Sequence, residues 1–330
     1  MSDGSPPTAT ILAWRKVAEG GHAAAQFALG MSHYFGKGVA QDHAAAAEWY
    51  AKAAAQGHAE AQYDLGVCFD YGTGVTQDAK AAFEWYAKAA AQGIAAAQLC
   101  LGHLYNDGTG VARDAKAAFE WYAKAAAQGK ADAQFELGIC YSNGTGVAQD
   151  AKAAFEWYVK AAAQGSADAQ NNLGACYANG TGVAQDFNVA AAWYAKAAAQ
   201  GHAGAQYNLG NRYLKGKGVA QVITVAVECY AKAAAQGHAK AQYSLGACYA
   251  NGTGIAQDFK AAVEWYAKAA AQGSADAQYN LGACYANGMG VAQDFNVAAA
   301  WLAKAAASGH PDASAARDTC LAHAAAASRR

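Results

Sequence analysis

One spacing governs nearly the whole chain: an Ala-Gln pair recurs every 36 residues, eight times, with no insertion or deletion. The eight glutamines are Gln26, Gln62, Gln98, Gln134, Gln170, Gln206, Gln242 and Gln278. A fixed period of this length is typical of an array in which each repeat is one supersecondary unit. Four glycines recur in every copy and account for 32 of the 36 glycines. The sequence therefore predicts units of equal length that are separated by glycine turns.

Each unit has the signals of two helices. In the second copy, small and apolar residues follow Gln62 at helical spacing until a Gly-Thr-Gly segment begins at Gly72. Asp78 is suited to cap a second helix, because its carboxylate can accept from the free N–H groups of the first turn. Gly93 is then expected to end that helix in a left-handed conformation. The unit is predicted to be helix, glycine turn, helix, glycine cap.

The same copy predicts three packing details. Gly66 lies in the middle of the first helix, where glycine costs about 1 kcal/mol relative to alanine, so it is expected to allow close approach of two helix backbones. Trp85 lies on the predicted apolar face of the second helix. Glu84 and Lys88 are spaced for an ion pair on its outer surface.

A lone helical hairpin cannot bury its apolar face, so the units are expected to stack side by side. Both ends of the chain look like half units. Residues 11–20 resemble a solitary second helix, and residues 312–327 resemble a solitary first helix with polar replacements. The prediction is an all-α chain of 18 helices, organised as a flexible lead-in (1–10), an N-terminal capping helix (11–20), eight repeats (21–309) and a C-terminal capping helix (310–330).

The repeat resembles a known family. The pattern Ala-Gln-x-x-Leu-Gly-x-x-Tyr-x-x-Gly-x-Gly-Val, followed by Asp, Trp-Tyr-x-Lys-Ala-Ala and Gln-Gly, runs for example from Ala169 to Gly201. It is similar to the Sel-one-like repeat family, a relative of the tetratricopeptide repeats, and the resemblance covers residues 21–309. The resemblance implies a right-handed α-solenoid that serves as a protein-interaction scaffold.

Charge and hydropathy narrow the function classes. Lys and Arg number 24 against 25 Asp and Glu, and this balance argues against a protein that binds nucleic acid through its phosphates. No run of 18 apolar residues is present, so no membrane-spanning helix is expected. The first ten residues lack the basic and apolar regions of a signal peptide. A cytoplasmic chain is expected as the sequence stands, and a cleaved signal peptide would leave no trace in it.

Motifs for catalysis and metal binding are missing from the sequence. It contains no Cys-x-x-Cys, no His-Glu-x-x-His and no Ser-x-x-Lys. The chain is therefore predicted not to be an enzyme and to need no metal or cofactor. Six cysteines recur at the same place on the first helix and are expected to be buried thiols. The recurring histidines after the second helix are expected to be structural or neutral.

A peptide site is placed by analogy with tetratricopeptide stacks, in which the first helix of each repeat lines a concave groove. Repeats differ most on that helix, and its aromatic and amide residues suit an extended peptide. The candidate groove residues are Phe27, Tyr63, Phe135, Asn171, Tyr207, Asn211, Tyr243 and Tyr279. The alternative is that this stripe packs against the next unit and binds nothing.

Two functions follow from these observations. The first is a non-enzymatic scaffold that binds a peptide or protein segment in the groove, without nucleic acid or membrane. The second is an engineered or recently duplicated array with no natural ligand, because Gln170–Gly201 and Gln278–Gly309 differ at only four positions. A basic cluster around Arg212 and Lys215 is a further candidate site for an acidic peptide. No residue pattern indicates an oligomeric state.

Overall fold

The computed structural model describes residues 8–327, with side chains from Trp14 onward, and this part of the chain contains helices and no strand. The helices are α1 (Thr8–Glu19), α2 (Ala23–Phe35), α3 (His43–Ala55), α4 (Ala59–Tyr71), α5 (Ala79–Ala91), α6 (Ala95–Asp107), α7 (Ala115–Ala127), α8 (Ala131–Asn143), α9 (Ala151–Ala163), α10 (Ala167–Asn179), α11 (Phe187–Ala199), α12 (Ala203–Lys215), α13 (Ile223–Ala235), α14 (Ala239–Asn251), α15 (Phe259–Ala271), α16 (Ala275–Asn287), α17 (Phe295–Ala307) and α18 (Ala313–Ala327).

Sixteen of these helices form eight successive pairs, as the repeat predicts. We call the first helix of each pair, the even-numbered α2 to α16, an A helix, and the second, the odd-numbered α3 to α17, a B helix. The predicted all-α fold of eight helix pairs with one further helix at each end is confirmed. Helix α1 begins at Thr8, inside the predicted lead-in, whose residues 1–7 lie outside the described residues. Residues 328–330 of the predicted C-terminal cap also lie outside them.

The chain divides into two compact units, with the boundary after Ser166. The first unit contains α1 and the four pairs from α2 to α9, and the second contains the four pairs from α10 to α17 and α18. Within each unit, every helix packs against the next one along the chain.

Local signals set the helix ends. The Asp78 carboxylate accepts from the backbone N–H groups of Lys80 and Ala81 at 3.0 Å, and so caps the start of α5. Gly72 ends α4 in a left-handed conformation with φ of 68°. Helix α13 is different, because Val222 occupies the capping position and supplies no side-chain bond.

The core lies between the B helix of one repeat and the A helix of the next. In the first such layer, Tyr50 on α3 packs with Leu65 and Cys68 on α4, and alanines fill the remaining space. The tyrosine is 1% exposed. Alanine lets the helices approach closely, so one large ring fills the centre of this layer.

The fully buried ring of α5 is Tyr86, one position after Trp85, which the sequence places on the apolar face. Tyr86 is buried, whereas Trp85 is half-buried and packs on the edge of the preceding layer. The Lys88 ammonium lies 3.7 Å from the centroid of the Trp85 ring, a cation–π contact, rather than against the Glu84 carboxylate. Adjacent helical residues point about 100° apart, so periodicity alone does not select between neighbouring rings.

The expected role of Gly66 also changes. A Cβ at this position would lie 2.6 Å from Cδ1 of Tyr86, and its three nearest neighbours are all atoms of that ring. At Gly66 the glycine therefore makes room for a tyrosine ring rather than for a second backbone. Gly30 combines both contacts, with the Tyr50 ring at 2.7 Å and the Ala46 carbonyl oxygen at 3.3 Å.

The recurring glutamine forms a buried bridge between repeats. Gln62 is 5% exposed; its Nε2 donates to the Ala54 carbonyl oxygen at 3.1 Å, and its Oε1 accepts from Gln92 Nε2 at 2.8 Å. Gln92 also donates to the Gly57 carbonyl oxygen at 3.0 Å. Six further glutamine pairs, each within one repeat, join Gln56 to Gln26, Gln128 to Gln98, Gln164 to Gln134, Gln200 to Gln170, Gln236 to Gln206 and Gln272 to Gln242.

The last repeat lacks the glutamine pair, because Ser308 stands where the other repeats have the second glutamine. Gln278 still donates to the Ala270 carbonyl oxygen at 3.1 Å, but its buried Oε1 has no hydrogen-bond partner. A buried acceptor left without a donor carries an unrecovered desolvation cost.

We expect Ser308→Gln to stabilise the last repeat by about 1 kcal/mol, because it supplies the missing donor. Native-state hydrogen exchange of the α17 amides measures the gain. Ser308→Met is the matched control, since it has similar length and no amide. Equal protection in the two variants would show that the gain does not come from a hydrogen bond to Gln278.

Candidate binding surface on the A helices

Two neighbouring clefts lie on the A helices of the second unit. One, of about 470 Å³, lies between α14 and α16, and the other, of about 260 Å³, lies between α12 and α14. Both are lined by Tyr243, Ala247 and Asn251. The clefts therefore form one continuous surface across three consecutive A helices.

The floor of this surface consists of small apolar residues, and amide side chains lie beside it. Ala247 and Ala283 occupy the position where other repeats carry larger residues such as Met31 and Ile139, which leaves space above the helices. Asn251 is exposed at the edge. Asn280 Nδ2 lies 3.5 Å from the Tyr243 hydroxyl oxygen. Side chains of this kind can hydrogen-bond a peptide backbone while rings and methyl groups contact its side chains.

The first unit has a cleft of different chemistry between α2 and α4. It has a volume of about 190 Å³ and is lined by Met31, Tyr34, Phe35, Tyr50, Tyr63, Asp64 and Val67. Four of these seven side chains are aromatic. Burial, with a smaller contribution from the Glu60 carboxylate, raises the pKa of Asp64 to about 6.

Three of the predicted groove residues line these clefts. Tyr63 lines the cleft of the first unit, whereas Tyr243 and Asn211 line the surface of the second. Asn211 also accepts a hydrogen bond from the buried Tyr230 hydroxyl at 2.8 Å. One of its roles is therefore to satisfy a core hydroxyl, and burial raises the pKa of that tyrosine.

Three other predicted residues stack on histidines. Ring centroids are 4.7 Å apart for Phe27 with His58. The corresponding distances are 5.0 Å for Tyr207 with His238 and 4.1 Å for Tyr279 with His310. One face of each of these rings is thus engaged within the protein, in line with the packing alternative for the aromatic stripe.

The remaining two predicted residues have further internal contacts. The Phe135 ring lies 6.0 Å from that of Tyr158. Asn171 Oδ1 accepts from Asn208 Nδ2 at 3.0 Å. Both side chains are half-buried, so each still presents some surface.

Three of the recurring histidines, His58, His202 and His238, cap the A helix that follows them, whereas His22 makes no side-chain cap. His202 Nδ1 accepts from the backbone N–H of Ala205 at 2.9 Å and so caps the start of α12. Its Nε2 lies 3.1 Å from the Asp168 carboxylate. The capping function itself was not predicted from the sequence, because histidine is not a common capping residue.

One cleft-lining position was not predicted from the sequence, two residues after the repeating glutamine. Asp64, Ser244 and Asn280 occupy it, and all three line clefts. The residue type changes from repeat to repeat at this position, and that variation was an available signal. The tetratricopeptide analogy assigned the groove to other positions of the same helix.

Two residues of the basic cluster, Arg212 and Lys217, make cation–π contacts with aromatic rings. The Arg212 guanidinium lies 5.3 Å from the Phe187 ring centroid and 5.9 Å from that of Tyr194, and Lys217 Nζ lies 5.3 Å from Phe187. Arg212 Nε is buried without a hydrogen-bond partner. Arg212 stands where most repeats have the buried cysteine.

All eight cysteines are free, and the six recurring ones are buried, as predicted. Burial raises the pKa of Cys68 to about 11, which makes it a poor nucleophile at neutral pH. Among the side chains that the structure describes, no three His, Cys, Asp or Glu residues are grouped so as to hold a metal ion. In the same part of the chain, every helix is too short or too polar to cross a membrane.

The sequence profile described as Sel1 repeat matches eight consecutive segments of the chain. They are residues 23–58, 59–94, 95–130, 131–166, 167–202, 203–238, 239–274 and 275–310. Each segment contains one A helix and the B helix that follows it.

Two solved structures are similar to the chain over nearly all of its length. The protective antigen c5321 of uropathogenic Escherichia coli strains, which displays an SLR fold, is 38% identical with a TM-score of 0.80 and covers 92% of this chain. This chain spans 65% of that antigen. A Sel1 repeat protein from Oxalobacter formigenes is 33% identical with a TM-score of 0.71, and the match covers 95% of this chain and 93% of that protein. No curated protein matches the chain in sequence.

Proposed function

This chain belongs to the Sel1 repeat family, whose members are generally non-enzymatic scaffolds for protein interactions, and we propose that its A helices bind an extended segment of a partner protein. The segment would lie across α12, α14 and α16 on the surface that contains Tyr243, Ala247 and Asn251. The proposal concerns a binding protein with no catalytic step.

The continuity of the two clefts in the second unit is the observation that supports the proposal. An extended segment is longer than one cleft, and it needs hydrogen-bond partners at intervals along its backbone. Tyr243, Ala247 and Asn251 belong to both clefts, so the second cleft continues the first. The alanine floor leaves room for side chains of the segment.

The test uses variants that fill the surface without removing a ring from the core. Peptides are selected from a random display library on the full chain, and their affinity is then measured for the double variant Ala247→Met and Ala283→Met. Methionine already occupies the equivalent position at Met31, so the fold tolerates it. We expect the affinity to fall by about tenfold or more, because methionine occupies the space of the segment.

The matched control is Ala300→Met, at an exposed position on helix α17. It adds the same atoms away from the clefts and should leave the affinity unchanged. A library that yields no peptide above an unrelated scaffold would favour the alternative, an array with no specific ligand. Equal binding by the double variant and the control would place the site elsewhere.

A further inference from the structure

We propose that the cleft between α2 and α4 binds the cationic end of a basic side chain, with the Asp64 carboxylate as its counter-ion and aromatic rings as its walls. The proposal rests on the proposed function in taking the A helices as the binding side of the repeats, although this cleft belongs to the first unit and the surface on α12, α14 and α16 belongs to the second. It adds the chemistry of a segment that the A helices of the first unit would bind.

The walls have the composition that attracts cations. Tyr34, Phe35, Tyr50 and Tyr63 surround the cleft, and the faces of such rings carry a negative electrostatic potential. Phe35 is 53% exposed, so it is accessible from outside the cleft. Lys37 Nζ already lies 5.5 Å from the Phe35 ring centroid, which is a cation–π contact within the chain itself.

The cleft also contains a carboxyl group, that of Asp64, which has no ion-pair partner among the described residues. In the described part of the structure, no ammonium or guanidinium group lies within ion-pair distance of Asp64, whereas Glu60 on the preceding turn contacts His58 at 3.4 Å. Burial opposes the charge of the Asp64 carboxyl and raises its pKa. A carboxylate in such surroundings gains the most from a cation, because water screens the attraction only weakly there.

The shape of the cleft favours a basic side chain over a bare ion. A volume of about 190 Å³ with Met31 and Val67 on its walls can contact an aliphatic stem, while the carboxylate and rings contact the charged end. Lysine and arginine both combine such a stem with a cation. An acidic or neutral side chain would leave the charge of Asp64 unpaired.

The experiment uses isotope-labelled full-length chain and three small probes: n-butylammonium, methylguanidinium and the neutral n-butanol. Backbone amide shifts of α2 and α4 report binding by nuclear magnetic resonance. We expect saturable shifts around Tyr34, Tyr63 and Val67 with one or both cations, and none with butanol. The ratio of the two cation affinities distinguishes a lysine from an arginine partner.

Two variants test the role of the charge. Asp64→Asn keeps the shape of the side chain and removes a buried charge, so the fold should be retained. Cation affinity should fall by about tenfold, since a charge-assisted contact is lost. Glu60→Gln removes a carboxylate from the same helix outside the cleft and should have little effect. Absence of saturable shifts, or equal cation binding by Asp64→Asn, would overturn the proposal.

The experiments can refute this cleft proposal and the proposed function separately. Selection on the wild-type chain should yield a class of peptides rich in Lys or Arg, and selection on Asp64→Asn should lose that class. Cation binding in the cleft together with a failed peptide selection would refute the proposed function alone. Selected peptides without basic residues, together with no cation binding, would refute the cleft proposal alone.

Discussion

Gly66→Ala will destabilise the chain, although alanine in the middle of a helix is normally favoured over glycine by about 1 kcal/mol. The new Cβ would lie 2.6 Å from Cδ1 of Tyr86, closer than such atoms can approach. The ring cannot move away, because Tyr86 is 1% exposed and packed among alanines of α5 and residues of α6. We expect a net loss of about 1–3 kcal/mol, the usual cost of overpacking a core.

Gly204→Ala is the matched control for this change, because it is expected to raise the stability that Gly66→Ala lowers. Gly204 also lies inside an A helix, and a Cβ at this position would lie 3.0 Å from Cε1 of the His202 ring, its nearest neighbour. The equivalent position holds glutamate after His58 and lysine after His238, so a Cβ beside this histidine is tolerated. This variant should gain up to about 1 kcal/mol.

Urea unfolding of both variants, with native-state hydrogen exchange of α4 and α12, measures the two effects. We expect the free energy of unfolding to fall for Gly66→Ala and to rise for Gly204→Ala. A gain in stability for Gly66→Ala would show that helix propensity outweighs the contact with the Tyr86 ring.

Gly110→Ala should cost about 4 kcal/mol or more, which is exceptional for a single methyl group. Gly110 has φ of 71°, where a side chain is strained, and its Cβ would also collide with the Ala79 carbonyl oxygen at the start of α5. The glycine turn of one repeat thus rests on the B helix of the preceding repeat. The methyl group would push these two repeats apart.

Gly93→Ala separates backbone strain from the collision. Gly93 has φ of 93°, and a Cβ there would have no neighbour within 4 Å. Its replacement should cost only the strain of the left-handed conformation, about 1–2 kcal/mol. Hydrogen exchange of the α5 and α7 amides compares the two variants. Equal losses would mean that the turn does not depend on its contact with Ala79.

Local signals explain how much of the fold could be predicted. Asp78 and Gly93 were expected to bound the second helix of the unit, and α5 spans Ala79–Ala91. The Asp78 cap and the glycine turns act within a few residues of the helix ends, so they can be recognised in the sequence. The number of helices and their pairing followed from repeating these signals.

The candidate site was predicted only in part. Tyr63, Asn211 and Tyr243 line the clefts, but Asp64 and Asn280 were not among the candidates. The rotation of each A helix against its neighbours decides whether a side chain points into a cleft or onto a histidine. That rotation depends on packing between residues that are far apart in sequence.

The sequence by itself determined the repeat length, the helix ends and the all-α class, because glycine, aspartate and helical periodicity act locally. Only the tertiary structure decided that Tyr86 rather than Trp85 is buried, that Gly66 accommodates a ring, and that the repeating glutamine joins neighbouring repeats. These outcomes depend on which side chains meet across helices. A rotation of one residue, about 100° on a helix, changes every such contact and leaves the repeat pattern unaltered.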